Sequence, residues 1–462
     1  MGRSAYLCVS ALLFSASILL LNLNACGSGN PSSSSALIPP GKLQHIVVIF
    51  QENRTPDNLF HDPILMQRGA DIASSGLDSS GNTLQLTPTP LAVPYDMSHS
   101  HAAFVVMYDG GKMDGANRIP VSCPPGTTCP PYPHYQYVQA SDVGSYYQLA
   151  EQYTFGDRMF QTNEGPSFPA HQFIISGTSA PTATSNLFAA DNPDGQAGCA
   201  ASPSSFVTMI GPMGNESSTM YPCFEHPTLT DELDAKGVSW RYYAPNAGSI
   251  WTGPNAIMHM CQPQTQNGRL ACSGATWDKV IIPGTQVLTD IANSQLPQVS
   301  WIIPAGQYSD HPSVATDTGP SWVASIVNAI GNSSYWSNTA IIITWDDWGG
   351  WYDHVPPPKV IDDGTSWGSG YVYGFRVPLI VVSPYAKAQY ISHVTHDFGS
   401  ILNLIEQTFG LPSLNYADAR ADNLADCLNF DQPPLHFQTI SAPLSAEHFL
   451  NDKTPPTDPD TD

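Results

Sequence analysis

The chain has 462 residues, with 39 acidic against 16 basic side chains and a net charge of −23. That balance argues against nucleic-acid binding, which needs basic surface, and against electrostatic docking on anionic lipid. The length allows one large core or two modest ones, and 42 prolines with 36 glycines imply long ordered loops around it.

The N-terminus reads as a targeting segment. Arg3 supplies a positive charge ahead of a mostly apolar, uncharged run at 11–23. The run ends in Leu23-Asn24-Ala25-Cys26-Gly27, which resembles a bacterial lipoprotein signal whose cysteine becomes the lipidated first residue. The expectation is a signal peptide over 1–25 and a Ser/Pro-rich tether over 26–40, giving an exported cell-envelope lipoprotein anchored in the membrane by its lipid. Asn24 is not the commonest residue at its place, so plain secretion or a periplasmic protein is the alternative. An oxidising compartment favours disulfides. Cys123 with Cys129 and Cys261 with Cys272 are plausible local pairs. Cys199 with Cys223 would close a third loop, leaving Cys427 over.

Further along, residues 44–50 (QHIVVIF) read as a buried strand running straight into Gln51-Glu52-Asn53-Arg54. Residues 147–153 read as a helical turn leading into a short strand at 153–155. Phe173-Ile174-Ile175 is an apolar run ending in small polar residues. Residues 228–236 form a capped helix, with Thr228 as N-cap and Gly237 as its stop. Strands follow at 238–243 and 299–304, a helix at 322–330, strands at 340–344 and 378–383, and a helix at 398–409 that stops at Gly410. Strands alternating with helices imply a mostly parallel sheet covered on both faces. Loop-rich segments at 69–90, 180–222 and 244–276 read as insertions over that sheet. The main domain is placed at 41–440. An acidic, Pro-rich tail occupies 441–462, with disorder expected from Asn451 onward.

The densest chemistry lies in IIITWDDWGGWYDHVPPP, residues 341–358. A strand ends in Asp346 and Asp347, two carboxylates that repel and resist desolvation unless a cation lies between them. Glu52 and Asn53 end another strand, and ligand sites in open α/β sheets form at such carboxyl ends. All four are hard oxygen donors, which suit Mg²⁺, Ca²⁺ or Mn²⁺. Ser167 follows Asn163-Glu164-Gly165-Pro166, and a helix start there would favour an alkoxide and a phosphate. Taken singly, the bland readings hold: Ser167 as an N-cap, Glu52 as a partner in a cap, Asp57 and Asp353 as turn formers.

Together these segments resemble a family. HIVVIFQENRTPDNLF, the SHSH segment, EGPSFPAHQFIISGTS, SDHPS, ITWDDWGGWYDHVPPP and GFRVPLIVVSPYAK are similar, in order, to the signatures of the bacterial phosphoesterases. That family includes phosphatidylcholine-hydrolysing phospholipases C and a respiratory-burst-inhibiting acid phosphatase. The resemblance implies an alkaline-phosphatase-like three-layer α/β/α sandwich. It implies a divalent metal, whether Ca, Mg, Mn or Zn, held by Glu52, Asn53, Asp346 and Asp347. Ser167 would be the nucleophile, with His101, His311 and His354 around the scissile phosphate. Thr55-Pro56, Asp347, Trp348 and Ala170-His171 depart from the family pattern near the pocket.

The expected function is metal-dependent hydrolysis of phosphoric esters through a phosphoserine, acid-phosphatase-like. One alternative is a phospholipase C cleaving choline phospholipids, which Trp345, Trp348 and Trp351 would favour as interface or choline-binding aromatics. Another is a surface lipoprotein that binds a ligand without catalysis.

Overall fold

Strand β1, His45–Gln51, is apolar on both faces and buried along almost its whole length, as a central strand must be. The computed structural model describes residues 37–314, 316–359 and 372–457. The expected signal peptide, Cys26 and the end of the acidic tail lie outside these.

Eight further strands complete one sheet with β1. They are β2 (Thr154–Phe160), β3 (Trp240–Tyr243), β4 (Val280–Ile281), β5 (Val299–Ile302), β6 (Thr339–Trp345), β7 (Arg376–Val382), β8 (Tyr390–Ser392) and β9 (His396–Asp397). The order across the sheet is β4-β3-β5-β1-β6-β7-β2-β8, with β9 also beside β2. All pairings are parallel except those of β7, which runs against β6 and β2. One edge of the sheet therefore collects the carboxyl ends of every strand but β7, and the start of β7 as well.

Helices cover both faces. Helix α1 (His101–Tyr108) packs Phe104 against Trp348, just past the end of β6, at a ring-centroid distance of 6.1 Å. Helices α2 (Ala140–Gln152), α5 (Gln286–Ala292), α6 (Gly319–Gly331) and α8 (Ala446–Asn451) pack together as one layer. Helices α3 (Ser167–Ser176), α4 (Leu229–Lys236) and α7 (Phe398–Phe409) form the other. The pleat aims side chains accordingly. Phe50 of β1 meets His171 and Phe398 at ring-centroid distances of 4.9 and 5.0 Å. Trp345 of β6 points the other way, against Tyr146 of α2 at 5.2 Å. The protein is thus an α/β sandwich of three layers on a mixed, mostly parallel sheet.

Local signals explain the ends of several elements. Helix α4 begins in a capping box in which Thr228 and Asp231 bond each other's backbone, and it stops at Gly237 with φ 73°. Helix α7 stops at Gly410 with φ 63°. Phe173-Ile174-Ile175 is the second half of α3.

The loop-rich segments carry small sheets of their own: a hairpin of Ser75–Leu77 with Thr83–Gln85, an antiparallel trio of Phe188–Ala189, Val207–Ile210 and Glu216–Met220, and a hairpin of Gln262–Gln266 with Arg269–Ser273. Disulfides join Cys123 to Cys129, Cys199 to Cys223 and Cys261 to Cys272, while Cys427 is a buried free thiol.

The disorder expected from Asn451 does not hold as far as Thr457. Phe449 of α8 is buried against Tyr308 and Trp322, and the Gly306 N–H donates to Thr457 O over 3.1 Å. Burial of that aromatic side chain outweighs the local composition.

Candidate active site

At the carboxyl edge, β1 and β6 pair in register up to Gln51 and Trp345, so Glu52-Asn53 and Asp346-Asp347 leave the sheet side by side. All four side chains are fully buried. Asn53 adopts φ 62°, a left-handed conformation that asparagine tolerates, and its N–H donates to Asp346 Oδ1 over 2.9 Å. Gly349 turns the next loop at φ 62°, and a Cβ there would lie 2.5 Å from Asn53 O. Both Glu52 oxygens, Asn53 Oδ1 and Asp346 Oδ2 are buried and find no hydrogen-bond partner among the described residues. Burial, and then the neighbouring Asp346 charge, push the Glu52 and Asp347 carboxyls well above the carboxylate range.

The segment after β2 turns sharply before α3. Gln161 Nε2 donates to Asn163 O and Gly165 O, each over 2.9 Å, which holds the turn closed. Pro166 is the N-cap, so Ser167 is the first helical residue and not the cap itself. Its hydroxyl donates to Asp347 Oδ2 over 3.3 Å. The Phe168 N–H is taken by Asn192 Oδ1, and Pro169 has none. The helix start therefore offers a phosphate fewer amides than its position alone suggests.

The histidines separate into distinct places. His99 donates from Nδ1 to Met97 O, and its Nε2 lies 3.1 Å from Asn53 Nδ2 and 4.0 Å from Asp347 Oδ2. His311 donates from Nδ1 to Pro312 O, with its ring 5.7 Å from that of His99. His101 stands further out, with Nδ1 2.6 Å from Glu216 Oε1 and Nε2 3.6 Å from Glu164 Oε2. Burial lowers its proton affinity, but the two glutamates outweigh burial and the net shift is upward.

His354, expected near the phosphate with Ser167, is engaged with a second group of charges. Its Nδ1 meets Asp57 at 2.7 Å and its Nε2 meets Asp71 at 2.9 Å. Arg376, fully buried at the start of β7, completes this cluster through Asp353 and Asp57 at 3.0 and 3.2 Å. Asp57 and Asp353 are thus members of an ion network rather than turn formers.

The phosphoesterase family model matches residues 43–412. This chain belongs to the phosphoesterase family. Phospholipase C B of Mycobacterium tuberculosis is 28% identical over 447 residues, covering 86% of this chain and 80% of that protein. Hemolytic phospholipase C of Pseudomonas aeruginosa is 25% identical over 429 residues, covering 82% of this chain and 54% of that protein. Among solved structures, a protein in the alkaline phosphatase superfamily from Vibrio parahaemolyticus is 11% identical. It covers 83% of this chain and 72% of its own, with a TM-score of 0.36. The chain is a phosphoester hydrolase.

In this phosphoesterase, the donor set fits a divalent cation, because stripped, partnerless carboxylate oxygens are otherwise costly to bury. Two nearby groups escaped the sequence reading. His99 was passed over for His101, two residues on in the same Ser-His repeat. His171 sits one helical turn after Ser167, with Nε2 3.3 Å from Glu52 Oε1; the i, i+4 spacing from the nucleophile position was the available signal. The expectation of aromatics at a membrane interface also fails for this loop. Trp345, Trp348 and Trp351 are all fully buried, and Trp351 stacks beneath the Arg54 guanidinium at 4.9 Å.

Proposed function

We propose that this phosphoesterase hydrolyses phosphoric esters through a phosphoserine at Ser167. The observation that carries the reading is the Ser167 hydroxyl bonded to Asp347, beside the partnerless oxygens of Glu52, Asn53 and Asp346. Glu52, Asn53, Asp346 and Asp347 would hold a divalent cation, which would withdraw charge from the phosphate and lower the pKa of the Ser167 hydroxyl. Ser167 Oγ attacks phosphorus in line, the Oγ–P bond forms and the ester P–O bond breaks. The leaving oxygen takes a proton and departs as the alcohol. Water then attacks the phosphoserine, releasing phosphate and restoring the serine.

His99 and His311 each bind a backbone carbonyl through Nδ1, which fixes the orientation of the ring. The His99 ring lies beside Asn53 and Asp347, placing it to steer the reacting oxygens. His101, raised in proton affinity by Glu164 and Glu216, would serve as a cationic contact or proton source for the leaving group.

The substrate reading favours soluble phosphate esters, acid-phosphatase-like. The net charge of −23 and the burial of Trp345, Trp348 and Trp351 remove two means of holding a bilayer. The second reading is a phospholipase C, favoured by the names of the relatives that match most of the chain. The deciding measurement is kcat/KM for a soluble phosphomonoester against a choline phospholipid in mixed micelles, with divalent cations added. A phospholipid preference of about tenfold, ~1.4 kcal/mol in transition-state binding, would reverse the choice.

Export accords with the three disulfides, which persist in oxidising compartments. Among the described residues no helix is long and apolar enough to cross a membrane. Lipidation at Cys26 remains part of the proposal, and its test is an acyl mass on the mature N-terminal peptide.

A further inference from the structure

His171 replaces an oxygen-only environment with one that includes nitrogen. It is fully buried, one turn into α3, and its Nε2 has no hydrogen-bond partner among the described residues. That atom lies 3.3 Å from Glu52 Oε1 and 4.0 Å from Asp346 Oδ2. The three residues bring one donor atom each within 4.8 Å of one another.

The tautomer of the ring follows from its other nitrogen. Nδ1 lies 3.4 Å from Tyr242 Oη. The single Tyr242 proton is committed to Trp251 O over 2.9 Å, and Tyr242 Oη also accepts the Gly253 N–H over 3.3 Å. Towards His171 the phenol oxygen is therefore an acceptor, so Nδ1 carries the hydrogen and Nε2 carries a lone pair. That lone pair faces two carboxylates, which is repulsive unless a cation or a proton lies between them. An imidazole whose N–H is held by a fixed acceptor while its other nitrogen faces acidic donors has the arrangement of a metal-ligating histidine. The site is also rigid around the ring. Phe50 packs edge-on at 4.9 Å, and the backbone of Gly253 sits so close that a Cβ there would be 2.4 Å from His171 O.

We propose that His171 Nε2 is a ligand of the same cation as Glu52 and Asp346, and that this ligand makes the site select a first-row transition metal of the Zn²⁺ or Fe²⁺ class over Mg²⁺ and Ca²⁺. The inference rests on the metal-binding reading of Glu52 and Asp346. Imidazole is a ligand that zinc and iron accept readily, whereas Mg²⁺ and Ca²⁺ take oxygen. His171 lies where the family resemblance places other residues, so the preference would belong to this chain.

The test uses the full-length protein stripped of metal. Zinc and magnesium are titrated separately by equilibrium dialysis into wild type, His171→Gln, Glu52→Gln and Asp346→Asn. The expected result is zinc binding weakened at least tenfold in His171→Gln, with magnesium binding changed less than threefold. Zinc binding within threefold of wild type in His171→Gln, together with its loss in Glu52→Gln, overturns the proposal. In that case the metal reading of Glu52 and Asp346 stands and His171 only packs beside the site. Unchanged zinc binding in Glu52→Gln and Asp346→Asn overturns the metal reading itself. Should His171→Gln fail to fold, a zinc-soaked crystal of wild type decides. An anomalous peak within about 2.3 Å of His171 Nε2 supports the proposal, and a peak bound elsewhere in the cluster overturns it.

Discussion

The Asn53 N–H donates to Asp346 Oδ1 over 2.9 Å, fastening the ends of two neighbouring parallel strands to each other. Asp346 thereby spends one oxygen on the backbone and keeps the other without a partner. The same carboxylate fixes the left-handed turn at Asn53 and contributes to the candidate metal site. Structure and chemistry are coupled through one side chain.

Asp346→Asn is expected to lower bound metal and activity together. Removing a charge from a cluster of repelling acids also relieves the apo protein, so its denaturation midpoint should match or exceed that of apo wild type. Elemental analysis alongside urea unfolding measures both. Unchanged metal stoichiometry in Asp346→Asn and in Glu52→Ala would sink the shared site.

Ser167→Ala should reduce kcat by several orders of magnitude while leaving metal content near wild type. The hydroxyl meets Asp347 over only 3.3 Å of buried space, so the fold loses little by its removal. Retention of more than about a tenth of kcat means less than ~1.4 kcal/mol was lost, and the nucleophile assignment fails.

Gly349→Ala tests the loop beneath the donors. The φ of 62° and a Cβ position 2.5 Å from Asn53 O leave no room for a methyl group. The variant should lose about 2 kcal/mol or more of stability and bind metal more weakly, because the clash pushes on Asn53. A urea midpoint equal to wild type would contradict the close approach.

His354 supplies a pH test in the cluster of Asp57, Asp71 and Arg376. Burial lowers its proton affinity, yet the Asp57 carboxylate outweighs burial and raises the pKa from 6.5 to about 9. A raised pKa in the folded state adds stability that is fully present below pH 6.5 and is lost as pH climbs through about 9. Unfolding free energies at pH 6.5 and 9.5 should diverge in wild type and diverge less in His354→Gln. Equal slopes in the two proteins would remove His354 from the network.

Much of the fold was legible because local chemistry and tertiary need agreed. Thr228 and Gly237 bracket α4, Gly410 stops α7, and β1, β6 and β7 are apolar runs with no competing helical period. Two disulfides are the expected local pairs, and the third closes the loop from Cys199 to Cys223. Elements that exist through their partners were not legible. Val280–Ile281 is a two-residue strand defined by pairing with β3, and Tyr390–Ser392 has no apolar run. Most of α2 carries polar residues and went unread ahead of Tyr147.

The site divides in the same way. Glu52, Asn53, Asp346 and Asp347 were readable because each follows a strand whose carboxyl end had to face one edge. The histidines were harder, since which one turns inward depends on where a helix begins. Ser100 caps α1, so His101 lies on its first turn and reaches Glu216, while His99 precedes it and reaches Asn53. His354 was drawn off by Asp57, Asp71 and Arg376, residues scattered across some 320 positions of sequence.

The placement of β1 in the middle of the sheet has a kinetic consequence. Its partners, Val299 opposite Ile46 on one side and Ala340 on the other, come more than 250 residues further along the chain. Loop closure over such distances is slow, and an apolar strand without its neighbours is prone to aggregate. β1 is made early and committed late. The nascent chain must therefore keep this segment shielded until β5 and β6 arrive.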